Sequence, residues 1–161
     1  MKKISILFIC LGNICRSPMA ETIMRKYLAD AGLDGSVEVD SAGLESYHEG
    51  DRADPRMRAH AVRRGYDITH ISRPMRGADW ERFDMIIGMD NQNMRALEHR
   101  APSTAHAGKL SRMTNYCDRF MLEEAVPDPY YGGEEGFEYV IDILEDACGG
   151  LLDELRRRLA V

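Results

Sequence analysis

A continuous apolar run, Lys3–Ile9, breaks off into Cys10-Leu11-Gly12-Asn13-Ile14-Cys15-Arg16-Ser17-Pro18, and this junction constrains the fold more than any other segment. An Ile-rich run without polar alternation is the pattern of a parallel strand covered on both faces. Ser17 and Pro18 suit the N-cap and first position of a helix. Behind them Ala20, Ile23, Met24, Tyr27, Leu28 and Ala31 recur on one helical face until Gly32. The junction is predicted to be strand, turn, helix.

The alternation continues along the chain. Val37–Ala42 reads as a second strand and Asp54-Pro55 to Arg64 as a helix stopped by Gly65. Asp84–Met89 reads as a third strand, Asn91–His99 as a short helix and Lys109–Met113 as a short fourth strand. From Phe137, the spacing of Val140, Ile141, Leu144, Cys148, Leu151, Leu152, Leu155 and Leu159 predicts a long amphipathic closing helix. Such a pattern predicts an α/β, doubly wound, three-layer sandwich: a mostly four-stranded parallel sheet with helices on both faces. With 161 residues and no Pro/Gly/Ser linker or repeat, a single domain over 1–161 is expected. Ligands of these folds sit beyond the carboxyl ends of the strands, which directs attention to the turn after the first one.

Composition removes several classes of function. Hydrophobic residues at 44% and charged residues at 30% are globular values. A net charge of −6 argues against nucleic acid or an anionic membrane as partner, so a bound anion must be held by local groups. Cys10, Cys15, Cys117 and Cys148 are too few for a disulfide scaffold and fit a reducing compartment. The five scattered histidines, with neither H-E-x-x-H nor paired C-x-x-C, suggest no metal site, and no cofactor is expected. Neither glycine-rich nucleotide loop occurs. Met1-Lys2-Lys3 before the apolar run imitates a signal peptide, but Asn13 and Arg16 follow at once without a small-x-small cleavage site. A cytoplasmic location is expected, with a monomer as the default.

A loop between a strand and a helix N-terminus aims backbone N–H groups at one point, where the helix dipole adds partial positive charge. Gly12 permits close backbone approach, and Asn13 tolerates a left-handed conformation. Residues Leu11, Gly12, Asn13, Ile14, Cys15, Arg16 and Ser17 thus form a candidate phosphate-binding loop. Arg16 offers a planar fork matched to two phosphate oxygens. Cys10, beside that cation and the helix start, is a candidate thiolate nucleophile for phosphoryl transfer. Cys-x5-Arg alone is a weak signal. Followed by Ser and set between strand and helix, it is a specific one. The plainer alternative for Cys10 is a small buried hydrophobe ending a strand.

Cleaving a phosphate ester also requires an acid for the leaving oxygen. Asp128 lies within Pro127-Asp128-Pro129-Tyr130-Tyr131-Gly132-Gly133, stiffened by prolines and walled by tyrosines. Read from the residues alone, a solvent-exposed turn with an ordinary aspartate is slightly the better explanation.

Cys10–Pro18 and Asp128–Gly132 together resemble the low-molecular-weight protein tyrosine phosphatases, with Asp40-Ser41-Ala42-Gly43, His70, Ser72-Arg73 and Met89-Asp90 matching between them. The resemblance spans nearly the whole chain. It implies a metal-independent phosphomonoesterase acting on a phosphotyrosine protein or a small phosphoester and releasing inorganic phosphate. Cys10 would attack phosphorus, Arg16 would hold its oxygens and Asp128 would serve as acid, then base. Asn13, Ser17, Ser41 and His70 would form a supporting network, although a purely structural histidine fits His70 too. Tyr130 and Tyr131 would flank the substrate ring, with Tyr47 on the facing wall. Ile14 stands where the family's arginine-phosphatase branch carries threonine, which favours phosphotyrosine. Cys15 would be a redox partner for Cys10, or simply a small buried loop residue. Asp90 is expected to cap a helix. The competing readings are an arsenate reductase, for which Cys117 and Cys148 make a poor relay, and an idle phosphopeptide-binding module.

Overall fold

The computed structural model describes residues 3–130 and 133–160. Strand β1 (Ile4–Cys10) is central, and the sheet order is β2-β1-β3-β4 with β2 (Val37–Gly43), β3 (Met85–Gly88) and β4 (Leu110–Arg112). All three pairings are parallel; Cys10 lies opposite Gly43, and Ile9 opposite Gly88. The position of β1 explains its composition, because Ile6, Leu7, Phe8 and Ile9 are fully buried and alternate between two cores. Ile6 and Phe8 pack with α1 (Arg16–Asp30), α2 (Pro55–Arg63) and α6 (Glu134–Leu159), whereas Leu7 and Ile9 pack with α3 (Asp79–Arg82) and α4 (Asn91–Arg100). Each such side chain contributes about 1.5–3 kcal/mol of transfer free energy. The predicted doubly wound sandwich is the observed fold.

Several boundaries differ for identifiable reasons. Ser17 is not the N-cap of α1: the helix begins at Arg16, and Cys15 caps it without any side-chain hydrogen bond. The Ser17 hydroxyl is diverted to Cys10. Helix α6 begins at Glu134 rather than Phe137, since two glutamates in its first turn complement the dipole. The fourth strand is shorter than expected and runs into a 3₁₀ turn, Met113–Tyr116. The short helices α3 and α5 (Thr104–Ala107) span only one turn each, too short to establish a periodicity. Cys148 is fully buried on the apolar face of α6, as its spacing predicts. No helix among the described residues is long and apolar enough to cross a membrane.

Candidate active site

The loop between β1 and α1 is fixed from outside by its carbonyl groups. Those of Cys10 and Leu11 accept from the amides of Leu44 and Glu45 at 3.0 Å, and that of Ile14 from Asp54 at 2.8 Å. The Gly12 carbonyl accepts from Ser72 Oγ at 3.0 Å. No cis peptide interrupts the described chain, and in a trans peptide C=O and the next N–H point opposite ways. The amides of Leu11, Gly12, Asn13 and Cys15 therefore point away from these anchoring partners. Asn13 adopts the expected left-handed conformation, with φ of 57°. At Gly12 a Cβ would come within 3.1 Å of the His48 ring, a tight contact that the ring must yield to.

Asn13 is the hub of a buried polar network. Its Oδ1 accepts from the Arg73 amide at 3.0 Å, which fixes the orientation of the side-chain amide, and lies 2.8 Å from His70 Nε2. Its Nδ2 donates to Ser17 Oγ at 2.7 Å and to Ser41 Oγ at 3.0 Å. Ser41 Oγ in turn donates to Glu21 Oε1 at 2.8 Å. His70 Nδ1 faces the same Glu21 oxygen at 3.0 Å, so each ring nitrogen has a polar partner. Ser17 Oγ, which accepts from Asn13, also lies 2.9 Å from Cys10 Sγ, within hydrogen-bond reach.

Arg16 is 3% exposed. Its Nη1 donates to Asp90 Oδ2 at 2.7 Å and to the Val126 carbonyl at 2.9 Å, leaving the Nη2 edge 3.7 Å from Asp128 Oδ2. Burial works against its charge, but Cys10 and Asp90 outweigh burial and hold the guanidinium protonated. Asp128 is more exposed and accepts from the Tyr130 amide at 3.0 Å. Burial and the nearby Asp54 push the Cys15 thiol far up, so it stays protonated.

Cys10, Leu11, Gly12, Ile14, Cys15, Arg16 and Asp128 line one cavity of about 190 Å³, with Tyr47, His48 and Tyr130 at its rim. A sequence model of the low molecular weight phosphotyrosine protein phosphatases matches residues 5–161. The chain belongs to that family. It is a protein-tyrosine-phosphatase, a hydrolase. A putative low molecular weight protein-tyrosine-phosphatase of Synechocystis is 46% identical over 154 residues, covering 96% of this chain and 98% of that one. A tyrosine phosphatase from Entamoeba histolytica, solved with Hepes in its active site, superposes with a TM-score of 0.93 at 47% identity, covering 96% and 98% of the two chains. The same scaffold is shared with an arginine phosphatase from Drosophila, at a TM-score of 0.87 and 32% identity, covering 97% and 98%.

The phosphatase cavity gathers most residues singled out in the sequence, while Asn13, Ser17, Ser41 and His70 are not part of its lining. Tyr47 is 74% exposed at the rim, and Tyr131 lies outside the described residues. Asp90 does cap α4, with Oδ1 accepting from the Asn93 amide at 2.7 Å, while its other oxygen anchors Arg16. The sequence reading missed His48, whose ring lies 6.2 Å from that of Tyr130, because nothing local marks a loop histidine. It also missed Glu21, for which a signal existed: an acid four residues after Ser17 falls on the helix face of Met24 and Leu28.

Proposed function

We propose that this phosphatase hydrolyses phosphotyrosine monoesters through a cysteinyl-phosphate intermediate. Cys10 Sγ attacks phosphorus and the ester P–O bond breaks, while Asp128 gives its proton to the departing phenol oxygen. Arg16 and the loop amides neutralise the equatorial oxygens. Asp128, now a carboxylate, takes a proton from water as that water displaces Cys10 and releases inorganic phosphate. The observation that carries this reading is the convergence of the Cys10 sulfur, the Arg16 edge and the Asp128 carboxylate on one cavity. Asn13, Ser41 and His70 orient Ser17, whose hydroxyl supports the thiolate.

Tyr130 and Tyr131, together with Tyr47, are assigned to the walls flanking the aryl ring, and Ile14 to the contact that favours phosphotyrosine over phosphoarginine. Cys15 is assigned a second role: if peroxide converts Cys10 to a sulfenic acid, the Cys15 thiol displaces water from it, giving a disulfide that thiols reduce.

Rapid quench with ³²P-labelled substrate tests the central step. Cys10→Ser should abolish turnover and the trapped phosphoenzyme while still binding phosphate; substantial residual turnover overturns the assignment. Asp128→Asn should depress kcat/KM most for poor leaving groups, and equal losses for good and poor ones reject the acid role.

A further inference from the structure

We propose that Arg56 is a positioning residue for this reaction: its guanidinium ties the segment bearing Asp128 to the phosphate loop. The proposal rests on the acid role assigned to Asp128.

That carboxylate stands at an exposed turn, and the Arg16 nitrogen near it is 3.7 Å away, beyond hydrogen-bond reach. What holds it is the Tyr130 amide, at 3.0 Å from Oδ1. The segment is pinned upstream, where the Val126 amide donates to the Met89 carbonyl at 2.8 Å and the Val126 carbonyl accepts from Arg16. Downstream it enters α6 at Gly133, which supplies no side-chain cap. The Arg56 guanidinium carbon lies 5.3 Å from the Tyr130 ring centroid and 5.0 Å from that of Phe137, so one cation contacts a ring of the Asp128 segment and a ring of α6.

Arg56 is itself fixed. Its Nε and Nη2 fork onto the Asp54 carboxylate at 3.1 and 2.8 Å, and the Asp54 amide donates to the Ile14 carbonyl of the phosphate loop. Phe137 is backed by the His60 ring, stacked at 5.4 Å and 7°. The first turn of α2 therefore acts as a bracket with one end on the loop that holds phosphate and the other on the ring whose backbone holds Asp128. A planar fork that pairs and stacks at once is a task for arginine, and lysine performs it poorly.

The test is kcat/KM over aryl phosphates running from nitro-substituted phenols to phenyl phosphate and phosphotyrosine. Arg56→Ala should lose about tenfold on poor leaving groups, a fraction of a general acid's full effect, and about twofold or less on good ones. Arg56→Lys should fall between, and Arg56→Ala with Asp128→Asn should depend on the leaving group no more steeply than Asp128→Asn alone. Uniform losses across the series, or a double variant steeper than Asp128→Asn, overturn the proposal. A steepened series for Asp128→Asn with an unchanged slope for Arg56→Ala removes the positioning role alone. An unchanged slope for Asp128→Asn removes the acid role and this proposal with it. Urea midpoints of each variant establish that folding is retained.

Discussion

Ser17 Oγ lies 2.9 Å from Cys10 Sγ, and Asn13 already occupies the hydroxyl's acceptor side at 2.7 Å. The hydroxyl in contact with sulfur is thus anchored by a hydrogen bond from the Asn13 side-chain amide. A hydrogen bond to a charged partner contributes about 1.5–3 kcal/mol. Ser17→Ala should slow alkylation of Cys10 by iodoacetate near pH 6 about tenfold, followed by mass spectrometry. The phosphate inhibition constant should move about twofold or less, and an unchanged alkylation rate would remove Ser17 from the network.

Asp90 links capping of α4 to the charge on Arg16. Asp90→Asn keeps a good cap but removes the anion, leaving a guanidinium of 3% exposure without its 2.7 Å partner. Removing one member of a buried pair costs about 3 kcal/mol or more. Both a lowered urea midpoint and at least tenfold weaker inhibition by phosphate are expected. A stability loss without any change in phosphate inhibition would deny that Asp90 positions Arg16 for the ligand.

Glu21 gives the protein part of its acid sensitivity. Burial pushes its carboxyl up, but the hydrogen bonds and charge of His70, with Ser41 and Arg25, outweigh burial and hold it below the usual carboxylate range. A group depressed in the folded state stabilises fully above its unfolded value, near 4.3, and loses that contribution as pH falls through the folded value. Glu21→Gln should cost about 3 kcal/mol at pH 6. Urea unfolding at pH 6 and pH 3.5 should show the gap between wild type and variant narrowing with acid; a constant gap refutes the linkage.

Gly150 is where α6 crosses the 3₁₀ turn. A methyl group built on it would fall onto the Tyr116 carbonyl, which is backbone and has no rotamer with which to yield. Gly150→Ala should destabilise by about 3 kcal/mol, at the upper end of overpacking costs. Calorimetry reads the loss, and an unaltered dependence on leaving group separates it from effects at the site.

Much of the architecture was legible because it follows from local periodicity. The apolar run of β1, the helix stripe from Ala20 to Leu28 and the spacing along α6 each name an element and its buried face. The Cys10–Ser17 motif likewise marked the loop between β1 and α1, since chain order alone puts it between strand and helix. Tertiary structure decided everything that depends on groups distant in sequence. Ser17 gave up a predicted cap for Cys10 because Asn13, set by Arg73 and His70 about 60 residues away, anchors its hydroxyl beside the sulfur. Asp90 carries two duties because its second oxygen faces a cation 74 residues distant. A one-dimensional pattern encodes which face of an element is buried; which polar partner waits there is set only when the parallel sheet brings its strand ends together.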